Sequence, residues 1–186
     1  YLDRIKDCSK FEPSNYVPFY YKNIQIGNIH LDFLEHLRKF PKTLLIKNKR
    51  LDLQPKLNTF RLRSQAMLKI INDLRANNLI QGWRNEKYPV GASFHSQPLF
   101  EIERAAAPFF GFKGYGVHLN GYIEKNDSIF MWIGKRSFSK PTGPGKFDQI
   151  VAGGQPIGLS LFDNLKKECA EEASIQSSLA KKARPV

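Results

Sequence analysis

The sequence is poor in cysteine. Cys8 and Cys169 are its two thiols, they lie near opposite ends of the chain, and neither belongs to a C-x-x-C pair. That excludes a disulfide framework and a cysteine-based zinc site, and it sets the expectation of a reducing, intracellular, cytoplasmic location with an organelle left open. Long apolar runs are missing too: none reaches the roughly 18 to 20 residues needed to span a bilayer, so a membrane is not an expected partner. The opening residues Tyr1-Leu2-Asp3-Arg4-Ile5-Lys6 lack the basic and apolar regions of a signal peptide. Internal repeats and low-complexity tracts are absent as well. Acidic residues are scarce, with 17 Asp and Glu against 29 Lys and Arg, a formal charge of +12. Such a surface attracts anions: nucleic acids, acidic membranes or phosphorylated small molecules. A start at Tyr1 rather than Met, and an end at Pro185-Val186, set the expectation of a piece of something longer.

What is present suffices for a packed core: 41% of the 186 residues are hydrophobic and 12% aromatic, enough for one ordinary domain or two small ones. Two regions emerge. In the first, Phe33, Leu34, Leu37 and Phe40 fall at helical spacing until Pro41, and Met67, Ile70, Ile71 and Leu74 do so before Asn77-Asn78, with strand-like Thr43-Leu44-Leu45-Ile46 between them. Residues up to about Phe112 therefore read as a small α+β unit. In the second, Val117, Leu119 and Gly121 alternate with outward positions, Lys125-Asn126-Asp127 makes a turn, and Ile129, Met131 and Ile133 alternate again, which predicts a hairpin. A basic, proline- and glycine-rich loop follows over residues 136–146, then Ile150-Val151-Ala152 and Gly153-Gly154. Ser160 opens a helix, with Asp163 completing an approximate capping box and Leu161, Leu165, Cys169 and Ala173 in its apolar stripe.

On that helix Glu168, Glu171 and Glu172 stand at i, i+3 and i+4, three carboxylates in one patch. Like charges at this spacing repel by about 0.2 to 0.5 kcal/mol per pair, and a divalent cation would offset them. Oxygen ligands suit Mg²⁺ or Mn²⁺, which bridge carboxylates to substrate phosphates. The preceding Gly153 and Gly154 offer free N–H groups to a phosphate, and Arg136, Lys140 and Lys146 can grip an anionic tail.

These residues carry a resemblance. Gly153-Gly154-Gln155-Pro156-Ile157-Gly158 followed by Lys167-Glu168-Cys169-Ala170-Glu171-Glu172-Ala173-Ser174-Ile175 resembles the Nudix box, G-x5-E-x7-R-E-U-x-E-E-x-G-U, over residues 153–175. Three positions depart from it: Leu159 stands for the first glutamate, Lys167 for the arginine and Ser174 for the glycine. The resemblance implies an α/β Nudix sandwich (α/β/α), incomplete at its C-terminus, with 113–186 as its N-terminal portion and 1–112 as a preceding α+β domain. It implies Glu168, Glu171 and Glu172 as catalytic metal ligands, Lys167 as their structural support, and Mg²⁺ or Mn²⁺ as cofactor. The implied activity is cleavage of a small-molecule diphosphate, with a homodimer compatible and no specific nucleic-acid partner.

A narrower similarity, to the Nudix branch related to thiamine pyrophosphokinase, rests on Gly114-Tyr115-Gly116-Val117-His118-Leu119-Asn120-Gly121-Tyr122, Lys140-Pro141-Thr142, Val151-Ala152-Gly153-Gly154-Gln155-Pro156, Gly82-Trp83-Arg84 and Glu103-Arg104-Ala105-Ala106-Ala107-Pro108-Phe109-Phe110-Gly111. It implies thiamine diphosphate or its oxy and oxo damage products as substrate, hydrolysed to the monophosphate. The wider family offers oxidised nucleotides such as 8-oxo-dGTP instead. A rival of another class is a non-catalytic basic module that holds RNA or DNA, with steep salt dependence and no metal requirement. Dispersed basic residues and the lack of a helix-turn-helix or RNA-binding motif weigh against it. The four histidines show no metal-ligand spacing, and Gly91-Ala92-Ser93-Phe94-His95 lacks the second glycine of a nucleophile elbow.

Overall fold

In the computed structural model, which describes residues 2–7, 11–140 and 142–186, the chain divides into two compact units, Tyr1–Lys113 and Gly114–Val186. Cys8 and Pro141, both part of the sequence reading, lie outside the described residues.

The first unit starts with a short helix α1 (Leu2–Asp7) and a four-stranded sheet with a helix inserted, formed by β1 (Tyr16–Tyr21), β2 (Ile24–His30), α2 (Leu31–Leu37), β3 (Leu44–Lys47) and β4 (Arg50–Leu53). The strand order is β2-β1-β4-β3, with β1 and β4 parallel and the other pairs antiparallel. Alternation in β1 turns Val17, Phe19 and Tyr21 inward. Helix α3 (Phe60–Ala76) begins at Thr59, whose hydroxyl accepts the Leu62 N–H at 3.2 Å, and buries Met67, Ile70, Ile71 and Leu74. It packs against the hairpin of β5 (Lys87–Val90) and β6 (Phe100–Glu103). Asn78, in the left-handed conformation, follows the helix end, so the predicted stop at Asn77-Asn78 is where the chain turns.

A buried guanidinium ties these pieces together. Arg63, 7% exposed, donates to Leu99 O (2.7 Å), Tyr21 Oη (3.0 Å) and Leu57 O (3.0 Å), and lies over the Tyr21 ring. The aromatic floor is Phe19, Phe100, Phe110 and Phe112, with Phe110 and Phe112 stacked at 5.4 Å. Phe110 is thus core.

The second unit contains β7 (Gly116–Leu119), β8 (Tyr122–Lys125), β9 (Ser128–Met131), β10 (Gly134–Lys135), β11 (Phe147–Asp148), β12 (Val151–Gly154), α4 (Leu161–Ala173) and α5 (Ser177–Ala180). Here one expectation needs correcting. The hairpin turning at Asn126-Asp127 joins β8 to β9 only, while Val117 and Leu119 sit in β7, which pairs antiparallel with β12. Alternation reports which face a residue takes, not which strand it pairs with, so the partner of β7 was invisible until the chain had folded back. Nor does the hairpin bury a face: Ile129, Phe130, Met131 and Trp132 are all exposed. The unit's core is small, with Val151, Cys169 and Ala180 buried and Leu119, Ile150, Leu165, Ala173 and Ile175 packed around them.

Candidate active site

Helix α4 is capped as its sequence requires. Ser160 Oγ accepts the Asp163 N–H (3.1 Å) and donates to the Asp163 carboxylate (2.6 Å). At the other end Ser174 takes the left-handed conformation (φ 52°) that the family pattern assigns to glycine, and the Ile175 N–H reaches back to Cys169 O at 2.9 Å. Between these caps α4 packs on β12 in the opposite direction. The apolar residue Cys169 lies beside Val151 in the core, but the rest of the seam is polar.

Three side chains of α4, one per turn, meet three consecutive residues of β12. Asn164 Nδ2 donates to Gly154 O (2.9 Å). Glu168, 6% exposed, lies on Gly153 so closely that a Cβ there would fall 2.1 Å from Glu168 Cδ. The Ala152 N–H donates to Glu172 Oε2 (3.0 Å). The glycine is therefore required by the carboxylate: only a bare backbone leaves room for it. Lys167 follows the same logic from the helix side, its Nζ lying 2.8 Å from Glu168 Oε1 and 3.7 Å from Glu171 Oε2. It bridges the two carboxylates as a built-in cation.

Glu171 and Glu172 line a cleft of about 340 Å³ whose opposite wall is the basic loop, with Lys135, Arg136, Ser137 and Lys140 together with Asp148, Gln149 and Ile150. Of the expected phosphate-gripping residues, Arg136 and Lys140 line this cleft, whereas Lys146, Gly153 and Gly154 do not. Arg136 is also the loop's internal brace. Its Nη1 pairs with Asp148 Oδ2 (2.7 Å), and its Nε and Nη2 donate to Thr142 O (3.0 Å) and Oγ1 (3.3 Å). The Arg136 hydrogen bond first, and the Gln149 N–H second, hold the Asp148 carboxyl below the ordinary carboxylate range. Gln149 in turn bonds His118 and, at 3.1 Å, Asn120. Asp148, Gln149 and Asn164 were not singled out in the sequence, where each reads as an ordinary polar residue. Cys169 is an inert thiol: burial, and then the charge of Glu168, raise its pKa above the ordinary value.

Among the described residues, no group of three or more His, Cys, Asp or Glu side chains converges on a single metal position. The donor chemistry nevertheless fits a hard divalent cation. A nine-tenths buried carboxylate sits in a cradle that a Cβ would fill, beside two more carboxylates and, one turn back, the orphaned side-chain oxygen of the fully buried Asn164.

Comparison with known proteins now assigns the chain. Residues 1–114 match the family described as "Domain of unknown function (DUF4743)", and the chain belongs to that family. It is 41% identical, over 98% of its own length, to Nudix hydrolase 24, chloroplastic, of Arabidopsis thaliana, and 41% identical over 98% to Nudix hydrolase 20, chloroplastic, of the same plant. It is also 37% identical, over 54% of its length, to the uncharacterized protein YJR142W of Saccharomyces cerevisiae, of which it covers 29%. The chain spans about half the length of the two plant relatives, 51% of one and 52% of the other. Their names also overturn the cytoplasmic expectation. Scarce cysteine reports a reducing compartment, and a chloroplast as well as the cytosol can meet that requirement. Among the described residues no helix is long and apolar enough to cross a membrane.

Proposed function

We propose that this chain carries the cation-binding part of a plastid Nudix hydrolase that cleaves the diphosphate of thiamine diphosphate or its oxidised derivatives to the monophosphate. The observation that carries the chemistry is Glu168, buried on Gly153 and flanked by two carboxylates that face a basic cleft. In this reading Gly114–Val186 is the N-terminal portion of an α/β/α sandwich, preceded by an α+β domain. The thiamine preference rests on the sequence resemblance to the thiamine pyrophosphokinase-related branch.

Glu168, Glu171 and Glu172 would hold Mg²⁺ or Mn²⁺, which when bound supplies charge neutralisation on the phosphates and a water of lowered pKa. The chain's own residues do the rest. Arg136 and Lys140 draw the anionic substrate into the cleft, and the Asp148 and Thr142 contacts keep the Arg136 fork pre-aimed so that little side-chain freedom is lost on binding. Lys167 shields the Glu168 and Glu171 charges from each other until the cation arrives. The Ala152 N–H fixes one oxygen of Glu172 and leaves the other towards the cleft.

The test is hydrolysis by the full-length gene product with Mg²⁺, comparing thiamine diphosphate, oxythiamine diphosphate, 8-oxo-dGTP and ADP-ribose. Turnover that a chelator abolishes, that favours the thiamine compounds, and that Glu172→Gln lowers by two or more orders of magnitude is expected. Preference for 8-oxo-dGTP would transfer the assignment to oxidised nucleotides. Turnover of none of them would sink the enzymatic reading.

A further inference from the structure

The geometry points to Asn164 as a further residue of the cation site: we propose that its side-chain carbonyl oxygen, Oδ1, acts as a neutral oxygen donor to the divalent cation beside Glu168. This rests on the metal-dependent reading above and adds a ligand that the box pattern does not contain.

The orientation of the Asn164 amide is fixed by its neighbours. Gln155, itself buried, donates through Nε2 to Leu159 O (2.6 Å) and Pro156 O (3.3 Å), which leaves its Oε1 as an acceptor. Asn164 Nδ2 donates to that Oε1 (3.0 Å) and to Gly154 O (2.9 Å). Flipping the amide would set an oxygen against two oxygens, so Oδ1 is the group left over. Asn164 is 0% exposed, and among the described residues Oδ1 is the buried side-chain polar atom without a partner. An acceptor stranded in this way is destabilising, which a fold tolerates where the group has another task.

Its place on α4 says what that task is. Asn164 precedes Glu168 by one turn, so their Cβ atoms are about 5–6 Å apart, and the two side chains contact adjacent residues of β12, Gly154 and Gly153. The glutamates by themselves are short of a ligand set. Lys167 stands between Glu168 and Glu171, and Glu172 is tied to Ala152. Hard divalent cations take amide carbonyls as readily as carboxylates when oxygens are few, and a neutral oxygen adds no further repulsion to three crowded charges.

Mn²⁺ titration of the full-length gene product, followed by the loss of the free-ion electron paramagnetic resonance signal, tests this without recourse to turnover. Asn164→Asp and Asn164→Ala both delete the Nδ2 donor that clamps Gly154, and Asn164→Asp in addition sets a buried carboxylate against Gly154 O and Gln155 Oε1, so its metal-free thermal stability should be the lower of the two while it alone keeps an oxygen at the Oδ1 position. The expectation is that Asn164→Ala weakens Mn²⁺ binding by about tenfold or more while Asn164→Asp binds at least as tightly as the parent. Equal weakening in both variants, or no change in either while Glu168→Gln abolishes binding, would reduce Asn164 to a structural clamp and overturn the proposal. Should Asn164→Ala fail to fold, Asn164→Asp decides: tighter Mn²⁺ binding supports the ligand role, and unchanged or weaker binding refutes it. A parent protein that binds no Mn²⁺ at all would refute the underlying cation site, and this proposal with it.

Discussion

A methyl group added at Gly153 would sit 2.1 Å from Glu168 Cδ and 2.2 Å from its Cγ, so no larger residue fits there while the Glu168 carboxylate keeps its place, for a reason that lies on the neighbouring helix. Gly153→Ala is expected to keep β12 paired with β7 but to evict the carboxylate. Overpacking of this kind costs about 1–3 kcal/mol, and Mn²⁺ affinity should fall as far as it does in Glu168→Gln; a Gly153→Ala protein with parental affinity would show that the carboxylate needs no cradle. Asp148 gives a pH signature. Its folded pKa is depressed, so its pairing with Arg136 contributes stability above the unfolded carboxylate range, near pH 4, and loses it as pH falls through the lower folded value. Urea midpoints of parent and Asp148→Asn should therefore differ by a constant amount from pH 6 to 8 and converge in acid; a gap that persists or widens in acid would rule out the linkage. The carboxylates were legible in the sequence because their i, i+3 and i+4 spacing falls within a run, 153–175, that resembles the Nudix box. Asn164, Gln155 and Gln149 were not, because a neutral amide carries no sign of burial until the backbone it bonds is in place.

At the scale of elements, α4 was readable from end to end. Its cap, stripe and acidic patch are all encoded within the helix itself. Its C-terminus carries a correctable strain: Ser174 occupies a left-handed conformation that costs a residue with a Cβ about 1 kcal/mol relative to glycine. Ser174→Gly should raise stability by about that amount in chemical denaturation, and a destabilised Ser174→Gly protein would mean that the serine side chain itself supports the cap. Strand pairing was less readable. β7 and β12 are separated by the whole of β8 to β11, and short alternating strands with several candidate partners are sorted by tertiary packing rather than by local pattern.

The two units differ as whole bodies in how well they bury their apolar residues. The first encloses a continuous aromatic and aliphatic core around Phe19, Phe100 and Phe110, braced by Arg63. The second leaves Ile129 at 69%, Phe138 at 78% and Phe147 at 79% exposed around a small core centred on Val151, Cys169 and Ala180. Expressed separately, Gly114–Val186 should bind the apolar dye ANS and self-associate, whereas Tyr1–Lys113 should do neither; equal dye binding by both would contradict this asymmetry. The relation to chloroplastic Nudix hydrolases could be anticipated from a resemblance at residues 153–175, but the compartment could not, since cysteine scarcity reports redox poise and not address.

Because Asn164, Glu168 and Glu172 ride on one helix along one strand, they are held against β12 as a single rigid row, and they also leave it as one. Warming that loosens α4 from β12 would dismantle the row from the Ser174 end, Glu172 first, while the Arg63-braced unit stays folded. On the proposed function, hydrolysis should then be lost reversibly at temperatures where most of the circular dichroism persists, and bound Mn²⁺ should delay that loss more than it delays unfolding of the first unit.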